Sequence, residues 1–309
     1  MSAPPHVVVT GAAGFVGGYL ARWFAARGHP VTATVRASRA VGAFPAQIAV
    51  IAGDLADPGH VPKRFDVLIH CAAETPARCS DPERLYASNV EAARALFARA
   101  LAAGAATVVY MSSMSVYGRI SAPVVAENLT PADVDRYGQS KREGERLLEQ
   151  AVQAGLASGL SLRLPGTVGR GSHDNFLSDA LTRARASETL KGRHPDALFN
   201  NIVFVGHLAR FLEDWIAAPR PGYSVANLAA RDPIPVRRVF STLFAALGLP
   251  ERIVYETGGK APFLISIERA LGLGYRAPSV EESVRLFVRD SIGAEPDPAT
   301  AAARAMAGA

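Results

Sequence analysis

Cysteine is almost missing from the 309 residues: only Cys71 and Cys79 occur, and neither has a partner at a metal-type spacing. This argues against a disulfide-stapled scaffold and against a zinc site, so no metal is expected, and reduced thiols in a cytoplasmic protein are the ordinary reading. Long apolar runs are missing as well. No stretch approaches the roughly 18 residues of a membrane span. The start, MSAPPHVVVT, has no basic region ahead of its short apolar run, so neither a membrane partner nor a signal peptide is expected. A block of like charge is also lacking. The formal net charge of +5 is spread over arginines along the chain; this is a poor basis for nucleic acid, which is not expected, and an anionic small molecule fits it as well.

What is present is a globular balance, 49% hydrophobic and 20% charged, sufficient for one large domain or one and a half. Short apolar runs alternate with helical patterns. Strands are expected at 6–10, 31–35, 48–51, 67–71, 107–111 and 160–164, with helices at 15–27 and 82–103 between them. Such alternation predicts an α/β protein, a doubly wound parallel sheet with helices on both faces. From Gly166 the rhythm breaks into helices at 175–186 and 205–217 joined by irregular links. The expected organisation is therefore a doubly wound sheet domain over 1–165 and a smaller C-terminal substrate-side lobe over 166–309. This lobe returns a strand near 223–228 to the main sheet. The small-residue tail after Gly293 is expected to fray or to form one loose helix.

The first strand runs into Gly11, Gly14, Phe15, Val16 and Gly17, a G-x-x-G-x-x-G turn before a helix. Glycines there let the backbone approach a pyrophosphate, and the helix N-terminus offers free N–H groups. An acid that would hold a ribose 2′-hydroxyl is lacking at the end of the second strand, where Val35 is followed by Arg36, with Arg39 three residues on. A guanidinium suits a 2′-phosphate, which favours NADP(H) over NAD(H); a solvated surface arginine is the alternative. Asp54 suits either the adenine amino group or a loop cap. At the other end of the site, Tyr137 and Lys141 in YGQSK lie four apart, on one face of a helix. An ammonium near a phenol draws its pKa down from about 10 and makes it a usable general acid or base. The run SSMSVYG at 112–118 follows a strand, placing Ser112, Ser113 or Ser115 at the carboxyl edge of the sheet.

Together with GDLAD at 53–57, IHCAA at 69–73, Asn89 in YASNVEAAR and RLPGTVGRG at 163–171, these segments occur in an order that resembles the extended short-chain dehydrogenases/reductases. The group is often labelled NAD-dependent epimerase/dehydratase, and the resemblance covers roughly residues 6 to 290. It implies a Rossmann sheet of order 3-2-1-4-5-6-7 and, frequently, a homodimer formed through two long helices. It also implies a small-molecule substrate and a nicotinamide cofactor. Carried over by position, the catalytic hydroxyl is Ser113, four residues before Tyr117. Tyr137 exchanges the proton, and Lys141 grips the nicotinamide ribose while lowering the tyrosine pKa. Tyr117 becomes a packed ring or pocket wall and Ser112 a backbone-bonding hydroxyl. Leu55, Ala72, Ala73, Asn89, Pro165 and Val168 join the cofactor side; Thr75, Ser113, Met114, Asn175 and Asn201 fall on the substrate side.

Absences inform here too. Relatives that dehydrate nucleotide sugars carry an acidic pair after the catalytic hydroxyl, where this chain has Met114 and Ser115, and decarboxylating relatives carry a glutamate at the second of these positions. Neither residue titrates usefully, so elimination and decarboxylation are disfavoured. The R-x-x-D pair that holds a nucleotide diphosphate is lacking in YETGGKAPFLIS, with only Lys260 as a partial substitute, and His207 stands where an aspartate is expected. His207 reads as a packed or capping histidine or as a base. His173, Asn175, Arg183, Arg185, Asn200 and Asn201 read either as groups for hydroxyls and anions or as loop structure. The expected function is redox of a secondary alcohol and ketone on a sugar-like or polyol-derived substrate. A nucleotide-sugar epimerase with tightly bound NAD is the alternative, and a non-catalytic dinucleotide sensor stands behind both.

Overall fold

The computed structural model describes residues 3–36 and 44–293. The expectations for Arg39 and for a helix after Gly293 lie outside these residues. Seven strands form one parallel sheet: β1 (Val7–Thr10), β2 (Val31–Val35), β3 (Ile48–Ala52), β4 (Val67–His70), β5 (Thr107–Ser113), β6 (Ser158–Leu164) and β7 (Gly222–Asn227). Their order is β3-β2-β1-β4-β5-β6-β7. This is the order implied by the resemblance, and β1 lies where the winding reverses, pairing Val7 with Val31 on one side and with Val67 on the other.

Side-chain alternation divides the sheet's two faces. Val7, Val9 and Val109 point into one core with Leu20 and Phe24 of α1 (Phe15–Ala25) and with Leu208 and Leu212 of α5 (Val205–Ala217). Val8 and Val108 point into the other, against Leu96 and Phe97 of α2 (Pro82–Ala103) and Leu147 and Leu148 of α3 (Arg136–Gln153). A strand covered on both faces must be apolar throughout, which is why VVVT and VLIH read as unbroken hydrophobic runs. The caps of α2 are legible as letters: Asp81 accepts from the N–H groups of Glu83 and Arg84, Pro82 opens the helix, and Gly104 closes it in the left-handed conformation.

A third core unites α4 (Phe176–Arg185), α6 (Val236–Leu247) and, after the short α7 (Glu268–Gly272), α8 (Val280–Ile292), with Leu177, Leu181, Phe240, Leu243, Val284 and Phe287 buried together. Helices α6 and α8 lie outside the elements expected from the sequence, although Val236, Val239, Phe240 and Leu243 keep helical spacing. Among the described residues, no helix is long and apolar enough to cross a membrane.

Candidate active site

The end of β1, the loops after β4 and β5, the start of α3 and the segment after β6 enclose a cleft of about 1030 Å³ at the carboxyl edge of the sheet. Ligands of doubly wound sheets bind at this edge, beside the switch in strand order. At its floor, Gly11 has φ +68°, and a Cβ there would stand 2.7 Å from the backbone N and Cα of Ala72. A Cβ on Gly17 would stand 2.5 Å from the Gly11 carbonyl oxygen. Glycine is thus required twice to let the turn, α1 and the β4 loop meet. No side chain caps α1, so its first N–H groups are available to a phosphate. A cradle of this shape fits the pyrophosphate of an NAD(P) dinucleotide.

Gly14, Phe15, Val16, Arg36, Leu55, Ala72, Ala73 and Thr75 line the same cleft, as does Asp54. The Asp54 carboxylate also accepts from the N–H of Ala56 at 3.0 Å, acting as a cap of its own loop. Asn89 reaches the cleft wall, yet its amide is committed. Its oxygen accepts from the N–H of Glu74 at 2.7 Å, and its nitrogen donates to the Glu74 carbonyl at 3.0 Å and to Ser140 Oγ at 3.1 Å. It ties the β4 loop to α3.

Pro165 lines the cleft with Gly166 and Thr167, but Val168 does not. In the short strand Gly166–Val168, alternation turns the Val168 side chain into the lobe core, where it is 1% exposed. Asn175 lines the cleft while capping α4, its oxygen accepting from Ser178 N. Asn201 is not among the lining residues, and its Oδ1 is buried with no partner. Arg183, Arg185, Asn200, His207 and Lys260 also stay out of the cleft. Asn200 instead bonds the backbone of Ile265 in both directions, and burial lowers the pKa of His207.

At the other end of the cleft, Ser113, Met114, Tyr137 and Lys141 come together. Asp135 caps α3 by accepting from Gly138 N, setting Tyr137 in the first turn. Ser113 Oγ accepts from Ser115 N and donates to Ser115 Oγ, both at 3.1 Å, and the hydroxyl is near enough to the Tyr137 phenol to lower its pKa. Lys141 is 3% exposed; its Nζ donates to the Met111 carbonyl at 2.8 Å and stands 5.8 Å from the Tyr137 ring.

Burial pushes Tyr137 up to about 12, with the Ser113 hydrogen bond pulling it back and Asp135 pushing it further up. The same burial pulls Lys141 down to about 8, against the opposing influence of Cys71 and Glu145. The expected lowering of the phenol pKa by the lysine is thus absent in the free protein. Desolvation outweighs a cation that is occupied with a backbone carbonyl and is itself easily discharged. What the site presents is a protonated phenol beside a hydroxyl, backed by a lysine that burial brings down to about 8.

Below the cleft floor lies a network that no local motif announces. Ser112 Oγ donates to Glu145 Oε1 at 2.5 Å, so it bonds a side chain and not the backbone group expected. Arg163 donates to both oxygens of Glu145, at 2.9 and 2.7 Å, and to the Tyr117 hydroxyl at 2.8 Å, which in turn donates to Asn227 Oδ1 at 2.7 Å. Tyr117 is 1% exposed, a packed ring. Glu74, Arg78 and His173 also line the cleft, and Arg78 Nη2 lies 3.1 Å from His173 Nε2 across its mouth.

This sheet and cleft define a dinucleotide-dependent enzyme of the Rossmann type. The chain belongs to the NAD dependent epimerase/dehydratase family, whose model matches residues 7–210, and is an NAD(P)-dependent enzyme of the oxidoreductase/epimerase class. It is 27% identical to the D-erythronate dehydrogenase of Cupriavidus necator over 93% of this chain and 98% of that protein. It is also 27% identical to the dTDP-6-deoxy-L-talose 4-dehydrogenase (NAD(P)(+)) of Kitasatospora kifunensis over 82% of each. Among solved structures, MoeE5 in complex with UDP-glucuronic acid and NAD matches with a TM-score of 0.75 and 27% identity, covering 92% of this chain and 98% of that one.

Proposed function

We propose that the protein interconverts a secondary alcohol and a ketone on a sugar-like or polyol-derived hydroxy compound, with NADP(H) favoured. The observation that carries this reading is the convergence of Ser113, Tyr137 and Lys141 on one cleft whose other end is a glycine cradle. Bound nicotinamide supplies or accepts the hydride at C4. In the reducing direction, the Tyr137 phenol donates its proton to the substrate oxygen as the carbon gains hydride. Ser113 donates a hydrogen bond to that oxygen, and the Lys141 ammonium stabilises the phenolate left behind. Oxidation reverses each transfer. Met114 and Ser115 line the cleft without a carboxylate, so the extra acid and base of an elimination are not supplied there.

The cofactor side is formed by the glycine turn, Arg36, Asp54, Leu55, Ala72, Ala73 and Pro165, and the substrate side by Thr75, Met114 and Asn175. Arg36 supports the NADP(H) preference, and the full-length likeness to a D-erythronate dehydrogenase supports a polyol-derived acid. A cytoplasmic homodimer joined through α2 and α3, which pack side by side on one face, completes the proposal. A thermal-shift comparison of NADP with NAD, followed by assays on free aldonates, sugars and nucleotide sugars, tests it. The likeness to MoeE5, solved with UDP-glucuronic acid and NAD, supports a nucleotide-sugar substrate, and with the epimerase/dehydratase family match it favours the second reading, an epimerase of nucleotide sugars. Stoichiometric NAD in the purified protein, with no net redox on any ketone, would select that reading.

A further inference from the structure

Arg36 follows the last residue of β2, and Glu74 lies four residues past the end of β4. β1 runs between these strands. Even so, the two side chains meet, with Arg36 Nη2 2.5 Å from Glu74 Oε1. The ion pair thus bridges the carboxyl edge at the switch in strand order, and both residues line the cleft. Both also line an adjoining polar hollow of about 550 Å³, together with Arg78 and Arg84.

The two partners are not equally free. The Glu74 side chain is 15% exposed, and its backbone is held at N–H and carbonyl by Asn89. The Arg36 side chain is 52% exposed. The carboxylate is therefore the fixed member and the half-exposed guanidinium the movable one, the partner able to leave the pair.

NAD and NADP differ by one phosphate on the 2′-oxygen of the adenosine ribose. A carboxylate accepts a hydrogen bond from a 2′-hydroxyl and repels a 2′-phosphate; a guanidinium does the reverse. The acid missing from the end of β2 is thus replaced, from across β1, by one on the β4 loop. We infer that Glu74 is a specificity-determining residue for the cofactor: by holding Arg36 and repelling a phosphate, it restrains the NADP preference that Arg36 confers, so that the protein accepts both forms. The inference rests on the dinucleotide reading of the cleft.

The test is the ratio of the NAD to the NADP dissociation constant, measured by fluorescence quenching or calorimetry on the whole protein without substrate. Glu74→Gln keeps the shape and removes the charge. It is expected to tighten NADP binding, leave NAD unchanged or weaker, and move the ratio about fivefold or more toward NADP. Arg36→Gln moves the ratio the other way, and melting curves establish that both variants fold. A smaller or opposite shift in Glu74→Gln overturns the inference while leaving the cofactor reading intact. Failure of the wild-type protein to bind either dinucleotide overturns that reading, and the inference with it.

Discussion

Lys141 Nζ donates to the carbonyl oxygen of Met111 at 2.8 Å, tying the first turns of α3 to β5 two residues before Ser113. The tie is made by a group that burial holds near 8, against 10.5 for an ordinary lysine. Between those values the unfolded chain keeps a proton that the native chain has lost. Stability should therefore rise with pH from about 8 to 10, by as much as about 3 kcal/mol if the full shift is realised. Lys141→Met should flatten this rise, as judged by urea unfolding at pH 7.5 and 9.5. Cys71 and Tyr137 have the opposite sign, since burial holds both near 12, above their unfolded values; Cys71 offsets part of the rise above about pH 9, and Tyr137 acts only above pH 10.

Tyr137→Phe should lower turnover by about 10²- to 10⁴-fold, the usual worth of a positioned proton donor. Cofactor binding should persist, because the ring and its neighbours stay in place. Parallel measurement of kcat and of the dinucleotide dissociation constant separates the two effects.

Glu145 and Arg163 are 9% and 13% exposed and form a two-pronged pair. Glu145→Ala should destabilise by about 3–5 kcal/mol, because it leaves the guanidinium buried and uncompensated. Replacing both members with apolar residues should recover much of that loss. Denaturant midpoints of the single and double variants give the comparison.

Gly11→Ala and Gly17→Ala should each weaken dinucleotide binding by well over tenfold, because each new Cβ enters space held by backbone atoms. Gly28→Ala serves as a control. It has a positive φ of +81° but nothing within 4 Å, so it should cost only about 1–3 kcal/mol of backbone strain and leave affinity unchanged. Titrations read beside thermal melts distinguish the two kinds of damage.

The sheet was legible because strands buried on both faces must be apolar without interruption, and because Pro82 and Gly104 punctuate α2 in the letters themselves. The Tyr137–Lys141 spacing and the glycine turn were legible for the same reason, since their partners are close in sequence. Glu74, Arg78 and the Ser112–Glu145–Arg163 network were not, because each contact joins residues from distant segments. Val168 and Asn201 show the limit from another side. Thr167 lines the cleft and Val168 beside it does not, because the facing side depends on a one-residue phase that the motif does not carry, whereas none of the chain neighbours of Asn201 lines the cleft at all. The lysine's influence on Tyr137 failed for an energetic reason: the sequence shows which charges are near, and not how much water each has lost.

The core of α4, α6 and α8 shares no residue with the two cores that sandwich the sheet. Substitutions inside it can reshape the wall beside Asn175 while the nucleotide cradle keeps every neighbour it has. Such a partition would let the wall beside Asn175 drift in one compartment while the turn from Gly11 to Gly17 is inherited whole.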